Sequence, residues 1–149
     1  MNGFLKKQIT EKNIFMNLKS KNKEDLIIEM IDNLVSLSKI VNRDAAIDAV
    51  LTREKKMSTG MQNNIAIPHG KTDSVNTLIT AIGIKKQGVD FDSVDRMPAK
   101  IFIMTISPKN RTGPHIQFIS EVSKLLNSPD IRDKILNAKN EKEILEVLF

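Results

Sequence analysis

The sequence predicts an α/β domain in which a small sheet is covered by helices. Apolar residues recur at helical spacing over 22–39 and again from about Asn42. They switch to extended patterns at 64–68, 78–85 and 100–106, then return to helical spacing from Pro114. The most apolar run, Ile101-Phe102-Ile103-Met104-Thr105-Ile106, is nearly continuous, as in a central strand buried on both faces. A length of 149 residues holds one sizeable core, so a single domain is expected over 1–149.

Each element has its own signal. In the first helix Leu26, Ile27, Met30, Ile31, Leu34 and Val35 share one face, Asn22 supplies the cap and Asp25 sits at the third position. The second carries Ala46, Ile47, Val50 and Leu51 and runs into Arg53-Glu54-Lys55, after which Ser58-Thr59-Gly60 breaks the pattern. Asn64 to Pro68 is a short strand. Pro68 holds Ile67 extended and removes a ladder donor, so the strand is expected to stop or reach a sheet edge there, with His69 and Gly70 just past its end. Leu78 to Lys85 is the next strand, Gln87 to Pro98 a connection, and Lys100 to Ile106 the third strand. Ser107 to Gly113 reads as a polar loop. A helix then opens at Pro114, with Ile116, Ile119, Val122, Leu125 and Leu126 as its buried stripe. Ser128-Pro129 starts a further helix, and Asn140 with Glu143 caps the last.

Composition excludes several classes of chemistry. With no cysteine there is no disulfide, thiolate metal site or thiol nucleophile. Aromatic residues make up 4%, too few for base stacking on single strands, and the net charge of +5 is spread among interrupting acids. The basic run Lys6 to Lys23 reads as a solvated face, and no nucleic-acid partner is expected. No apolar stretch is long enough to span a membrane, and Met1 to Lys7 lacks the apolar core of a secretory signal, so the expected location is the cytoplasm. The histidines are not spaced as metal ligands, and no glycine-rich phosphate loop or nucleophile elbow is present, so neither metal nor organic cofactor is expected.

Three places retain chemistry. His69 follows a rigid proline, which presents its imidazole, and Gly70 leaves room beside it; a neutral imidazole is a nucleophile for phosphoryl groups. The same spacing also suits a surface-turn histidine without a role. His115 stands in the first turn of a helix, where free N–H groups and the dipole welcome an anion and favour the neutral ring. It reads equally as an exposed helix-start histidine. Arg53 can hold a phosphoryl group through paired hydrogen bonds, with Ser58 and Thr59 as added donors, or can simply complement the end of its own helix.

Taken together, Arg53-Glu54, Ser58-Thr59-Gly60 and Ile65-Ala66-Ile67-Pro68-His69-Gly70 resemble the enzyme IIA domain of the bacterial phosphoenolpyruvate:sugar phosphotransferase system. The branch is the fructose–mannitol class, which includes the nitrogen-regulatory enzyme IIA proteins. Val89-Asp90-Phe91-Asp92-Ser93-Val94-Asp95 before Pro98, and His115-Ile116 at a helix start, extend the resemblance over nearly the whole chain from about residue 10. It departs at Gln62, Asn63 and Asn64, where the family often has glycines; asparagine tolerates left-handed backbone, so Asn64 is the more natural replacement.

The resemblance implies a small mixed sheet sandwiched between helices. It implies that His69 is the phosphorylated histidine, His115 the second active-site histidine and Arg53 the active-site arginine, with Ser58, Thr59 and Asn64 as supporting groups. The partners would be the histidine-containing phosphocarrier protein as donor and a cysteine on an enzyme IIB domain or subunit as acceptor. Membrane contact would come only indirectly, through a permease. Two roles share such a site: a phosphocarrier for sugar uptake, and a regulator whose phosphorylation state selects its partner. A basic binding module without chemistry is a third reading. It predicts salt-sensitive nucleic-acid binding that survives loss of His69.

Overall fold

The structure, a computed structural model, describes residues 3–149. Met1 and Asn2, which the single-domain span and the N-terminal targeting reading included, lie outside the described residues. Five strands form one mixed sheet: β1 (Ile14–Phe15), β2 (Ile65–Ala66), β3 (His69–Lys71), β4 (Ile79–Val89) and β5 (Ala99–Ser107). The order is β1-β4-β5-β2, and β3 pairs with β5 further along the same edge. β4 and β5 are antiparallel, and the three short strands run parallel to their neighbours.

Helices cover both faces. On one side lie α2 (Lys23–Ser36) and α3 (Arg43–Lys56), capped by the side chains of Asn22 and Asn42. Their apolar faces, including Leu26, Met30, Leu34 and Val50, pack on Phe102, Met104 and Ile106 of β5. On the other side lie α1 (Gly3–Gln8), α4 (Thr112–Leu126), α5 (Pro129–Asn137) and α6 (Glu141–Leu148). There Phe118, Val122 and Ile144 pack on Ile82, Ile84, Ile101 and Ile103. Successive residues of β5 therefore serve opposite cores, which is why its sequence is apolar throughout. No described helix is long and apolar enough to cross a membrane.

Several elements differ from expectation, each for a local reason. The chain does not leave the sheet at Pro68. Proline lacks an N–H, but its carbonyl accepts from Thr105 N at 3.2 Å, and His69 to Lys71 continue the parallel pairing as β3. β4 extends to Val89 because a register shift between Ile84 and Val89, with Gly88 at φ +79, absorbs the polar residues read as a connection. α4 begins at Thr112, so Pro114 is its third residue, still within the turn that needs no N–H partner. Its inward stripe is His115, Phe118, Val122 and Leu126, while Ile116 is 63% exposed.

The segment before Asn22 is more than a solvated face. Its lysines at 6, 7, 12, 19 and 21 are exposed, but Leu5, Ile9, Ile14 and Leu18 are buried. Asn13 ties this segment to β4, its Nδ2 donating to Gln8 O at 2.7 Å and Thr80 O at 3.0 Å.

Candidate active site

The two histidines meet on the α4 side of the sheet. His69 is in register with Thr105 on β5, which places its side chain on the same face as Thr105 and Ser107. His115 descends onto that face from the first turn of α4. The ring centroids are 5.3 Å apart, with the planes inclined at 66°. His69 is half-buried, whereas His115 is only 5% exposed. The reading of His115 as an exposed helix-start residue is therefore corrected: α4 packs on the sheet through His115, Phe118, Val122 and Leu126, which points the ring inward.

Each ring has one committed nitrogen. Nδ1 of His69 lies 2.8 Å from Ile67 O, and a carbonyl can only accept, so Nδ1 carries the proton and Nε2 is bare. Nδ1 of His115 lies 3.2 Å from the Ser107 hydroxyl. Burial pushes the His69 imidazole below its ordinary value. The Ile67 hydrogen bond and Glu54 oppose this, and the charges of Arg53 and Lys71 add to it. His115 is pushed down to about 4, first by burial and then by the charges of His69 and Lys71. Both rings are neutral at pH 7, and for His115 burial, rather than the helix dipole alone, accounts for it.

Arg53 stands in the last turn of α3, near enough for its charge to act on His69. The helix can pass this close because Gly70 has no side chain: a Cβ there would stand 2.8 Å from Ala49 C and 2.9 Å from Val50 N. Gly70 thus seats β3 on α3, where room for a ligand was expected. The Arg53 Nη1 donates to Met57 O at 2.7 Å, so the guanidinium caps its own helix end while its other donors make no hydrogen bond among the described residues. Arg53 thus complements the end of its own helix, one of the two roles its sequence position allowed.

Ser58, Thr59 and Asn64 turn inward and shape the loops around the site. The buried Glu54 carboxylate accepts from Thr59 N at 2.8 Å and from the Thr59 hydroxyl at 2.5 Å, and pairs with Lys23 Nζ at 3.3 Å. Ser58 Oγ donates to Phe91 O and accepts from Gly60 N. Asn64 takes φ +64, and its Nδ2 donates to Pro98 O at 2.8 Å; Asn63 takes φ +63. Side-chain donors expected to face a phosphoryl group are therefore spent on the 90–98 loop and on Glu54. A Cβ on Gly60 would lie 2.8 Å from Phe91 O, so that loop is held tightly against 58–60.

Two residues near the rings were missed. Lys71 lies two positions after His69 on β3, hence on the same face, and its charge acts on both imidazoles. Ser107 lies two positions after Thr105 on β5. Strand alternation would have found both had the strands been extended past Pro68 and Ile106. Among the described residues no cluster of three or more His, Asp or Glu side chains could hold a metal ion.

The site thus lies on a small mixed sheet between helices, where two neutral imidazoles meet and the charge of Arg53 acts on one of them. Residues 7–149 match the family model described as "Phosphoenolpyruvate-dependent sugar phosphotransferase system, EIIA 2", and the chain belongs to that family. It is 37% identical over 126 residues to the fructose-specific EIIA component of Haloferax volcanii, covering 85% of this chain and 82% of that protein. It is also 37% identical over 140 residues to the fructose-specific EIIABC component of Bacillus subtilis, covering 94% of this chain but only 22% of that much longer protein. Identity to the nitrogen regulatory protein of Klebsiella oxytoca is 31% over 124 residues, 81% of this chain and 75% of that one. Among solved structures, nitrogen regulatory protein IIA-Ntr of Neisseria meningitidis superposes with a TM-score of 0.90 at 22% identity, covering 99% of this chain and all of that one. Enzyme IIA mannitol of Escherichia coli, in complex with phosphorylated enzyme IIB mannitol, gives 0.80 at 26% identity, covering 94% of this chain and 96% of that one. The chain is an enzyme IIA-type phosphocarrier.

Proposed function

We propose that His69 accepts a phosphoryl group from the histidine-containing phosphocarrier protein and passes it to an enzyme IIB domain or subunit in sugar uptake. The carrying observation is the pair of neutral rings, each with Nδ1 committed and Nε2 free. In the accepting step the lone pair on His69 Nε2 forms an N–P bond as the donor's N–P bond breaks in line. The departing electron pair stays on the donor's imidazole. Arg53 and Lys71 supply positive charge for the phosphoryl oxygens, and His115 lies against the nucleophile as a further polar group. In the onward step the N–P bond breaks and the IIB cysteine thiolate takes the group. No metal or organic cofactor enters. The domain over 1–149 acts in the cytoplasm, touching the membrane only through a permease.

Exposed apolar side chains adjoin the site's own segments: Met57 after α3, Met61 in the loop before β2 and Ile116 beside His115 are 69%, 43% and 63% exposed. Such side chains suit protein partners better than a free small molecule. The EIIABC relative, whose name joins A, B and C components, supports the IIB acceptor, as does the IIA–IIB mannitol complex. Sugar uptake is preferred because the two relatives named for fructose are 37% identical, against 31% for a nitrogen regulatory protein. The regulatory reading uses the same site and is favoured if an alternative sigma factor gene, rather than permease and IIB genes, lies alongside.

The test is intact mass after mixing the protein with phosphoenolpyruvate, enzyme I and the phosphocarrier protein of its own organism. One acid-labile phosphoryl group is expected, absent in His69→Ala. Arg53→Gln should slow uptake by a factor corresponding to ~2–4 kcal/mol, the usual cost of a lost transition-state donor. His115→Ala should slow onward transfer more than acceptance. Phosphorylation of His69→Ala, or none of the wild type, overturns the assignment.

A further inference from the structure

We propose that Ser107 is a positioning residue for transfer: its hydroxyl donates to Nδ1 of His115 and so holds the proton of that ring on Nε2. The proposal rests on the phosphocarrier reading above and adds a residue to it.

The argument is one of hydrogen-bond satisfaction. Ser107 is fully buried, and its Oγ lies 3.2 Å from His115 Nδ1. That nitrogen is its one acceptor among the described residues. A buried hydroxyl needs an acceptor. If Nδ1 carried the proton and donated to Oγ, the hydroxyl hydrogen would be left buried without a partner, which is the costlier arrangement. The neutral ring is therefore Nδ1-bare and Nε2–H.

His69 is set the opposite way. Its Nδ1 faces Ile67 O, a carbonyl with no hydrogen to give, so its proton sits on Nδ1 and Nε2 is the bare nucleophile. A carbonyl behind one ring and a hydroxyl behind the other give two adjacent imidazoles unlike outer nitrogens. One is a lone pair to form the N–P bond. The other is an N–H to donate to the phosphoryl oxygens once they arrive. With both rings bare at Nε2, the second would repel an anionic group. Ser107 is held in place independently of the ring, because its backbone carbonyl accepts from Thr72 N at 2.9 Å beyond the end of β3.

The experiment uses the full chain with 15N-labelled histidine. Long-range proton–nitrogen correlation spectra at neutral pH read the tautomer of each ring. Wild type should show His69 protonated at Nδ1 and His115 at Nε2. Ser107→Ala should convert His115 to a mixture and leave His69 unchanged, and Ser107→Thr, which keeps the hydroxyl, should restore the wild-type pattern. Transfer from the phosphorylated protein to enzyme IIB should slow by about twofold to tenfold in Ser107→Ala and recover in Ser107→Thr, the range expected for one hydrogen bond. A wild-type His115 with its proton on Nδ1, or an unchanged tautomer in Ser107→Ala, overturns the proposal. So does a shifted tautomer with transfer at the wild-type rate. The spectra need no phosphoryl donor. A wild type that takes up no phosphoryl group therefore overturns the functional reading, while the tautomer is decided separately.

Discussion

Acid should destabilise this protein through His115, and the size of the effect follows from its burial. The ring titrates at 6.5 when free and at about 4 in the folded chain. Because the folded value is the lower, the unfolded chain takes up the proton first as pH falls. Stability contributed by the neutral ring is thus intact above pH 6.5 and is lost progressively down to about pH 4. The difference, 6.5 − 4, corresponds to ~3 kcal/mol once fully expressed, and to ~2 kcal/mol between pH 7 and pH 5. His69 acts in the same direction, since burial lowers it too. Against a typical total of ~5–15 kcal/mol this is a large share. Urea unfolding of wild type and His115→Asn at pH 7 and pH 5 isolates the term. Asparagine keeps a polar atom near Ser107 but cannot take up a proton in this range. Wild type should lose ~2 kcal/mol more than the variant, a relative midpoint change of about 1 M for an ordinary urea slope. Equal losses in the two proteins would refute the claim that the ring is held neutral by its surroundings.

Two further substitutions test the packing around the site. Gly70→Ala places a methyl 2.8 Å from the Ala49 backbone, which cannot rotate aside, so α3 must shift; a loss of ~1–3 kcal/mol by urea unfolding is expected, and unchanged stability would contradict the contact. Thr105→Val removes a fully buried hydroxyl that has no hydrogen-bond partner among the described residues. Stability should hold or rise by about 1 kcal/mol, and a drop of more than about 1 kcal/mol would show that the hydroxyl is satisfied after all.

Much of the architecture was legible because burial follows period. α2 appears in the sequence through Leu26, Met30 and Leu34, and β5 through its unbroken apolar run; both are buried as their patterns require. Helix starts were legible for the same kind of reason: Asn22 and Asn140, expected as caps, accept from the N–H groups that a helix start leaves free, and so do Asn42 and Ser128 at the other expected starts. The errors fall where one residue's local rule competes with a neighbour's pairing. The missing N–H of Pro68 suggests a strand stop or an edge; the chain stays on the sheet edge, and pairing continues past it through the Pro68 carbonyl. Pro114 was read as the first helical residue, yet it is the third. Separately, the apolar type of Ile116 and Ile119 suggests the buried stripe, yet α4 packs through His115 and Phe118 instead.

The site divides along the same line. His69, His115 and Arg53 could be picked out because imidazole and guanidinium carry chemistry wherever they stand, and this chain has two histidines. What makes the two rings different was not legible, because it lies in the groups behind them. Ile67 is apolar by side chain and acts through its carbonyl. Ser107 is one of many serines until β5 is extended far enough to aim it at α4. The loop residues show the converse. Ser58 and Thr59 look like phosphoryl donors by type, but Phe91 O and the buried Glu54 carboxylate, each brought in by folding, claim their hydroxyls first. A side chain's type states which bonds it can make. Only the neighbours that folding supplies decide which of those bonds remain open, and at this site two ring nitrogens and an arginine are what remain.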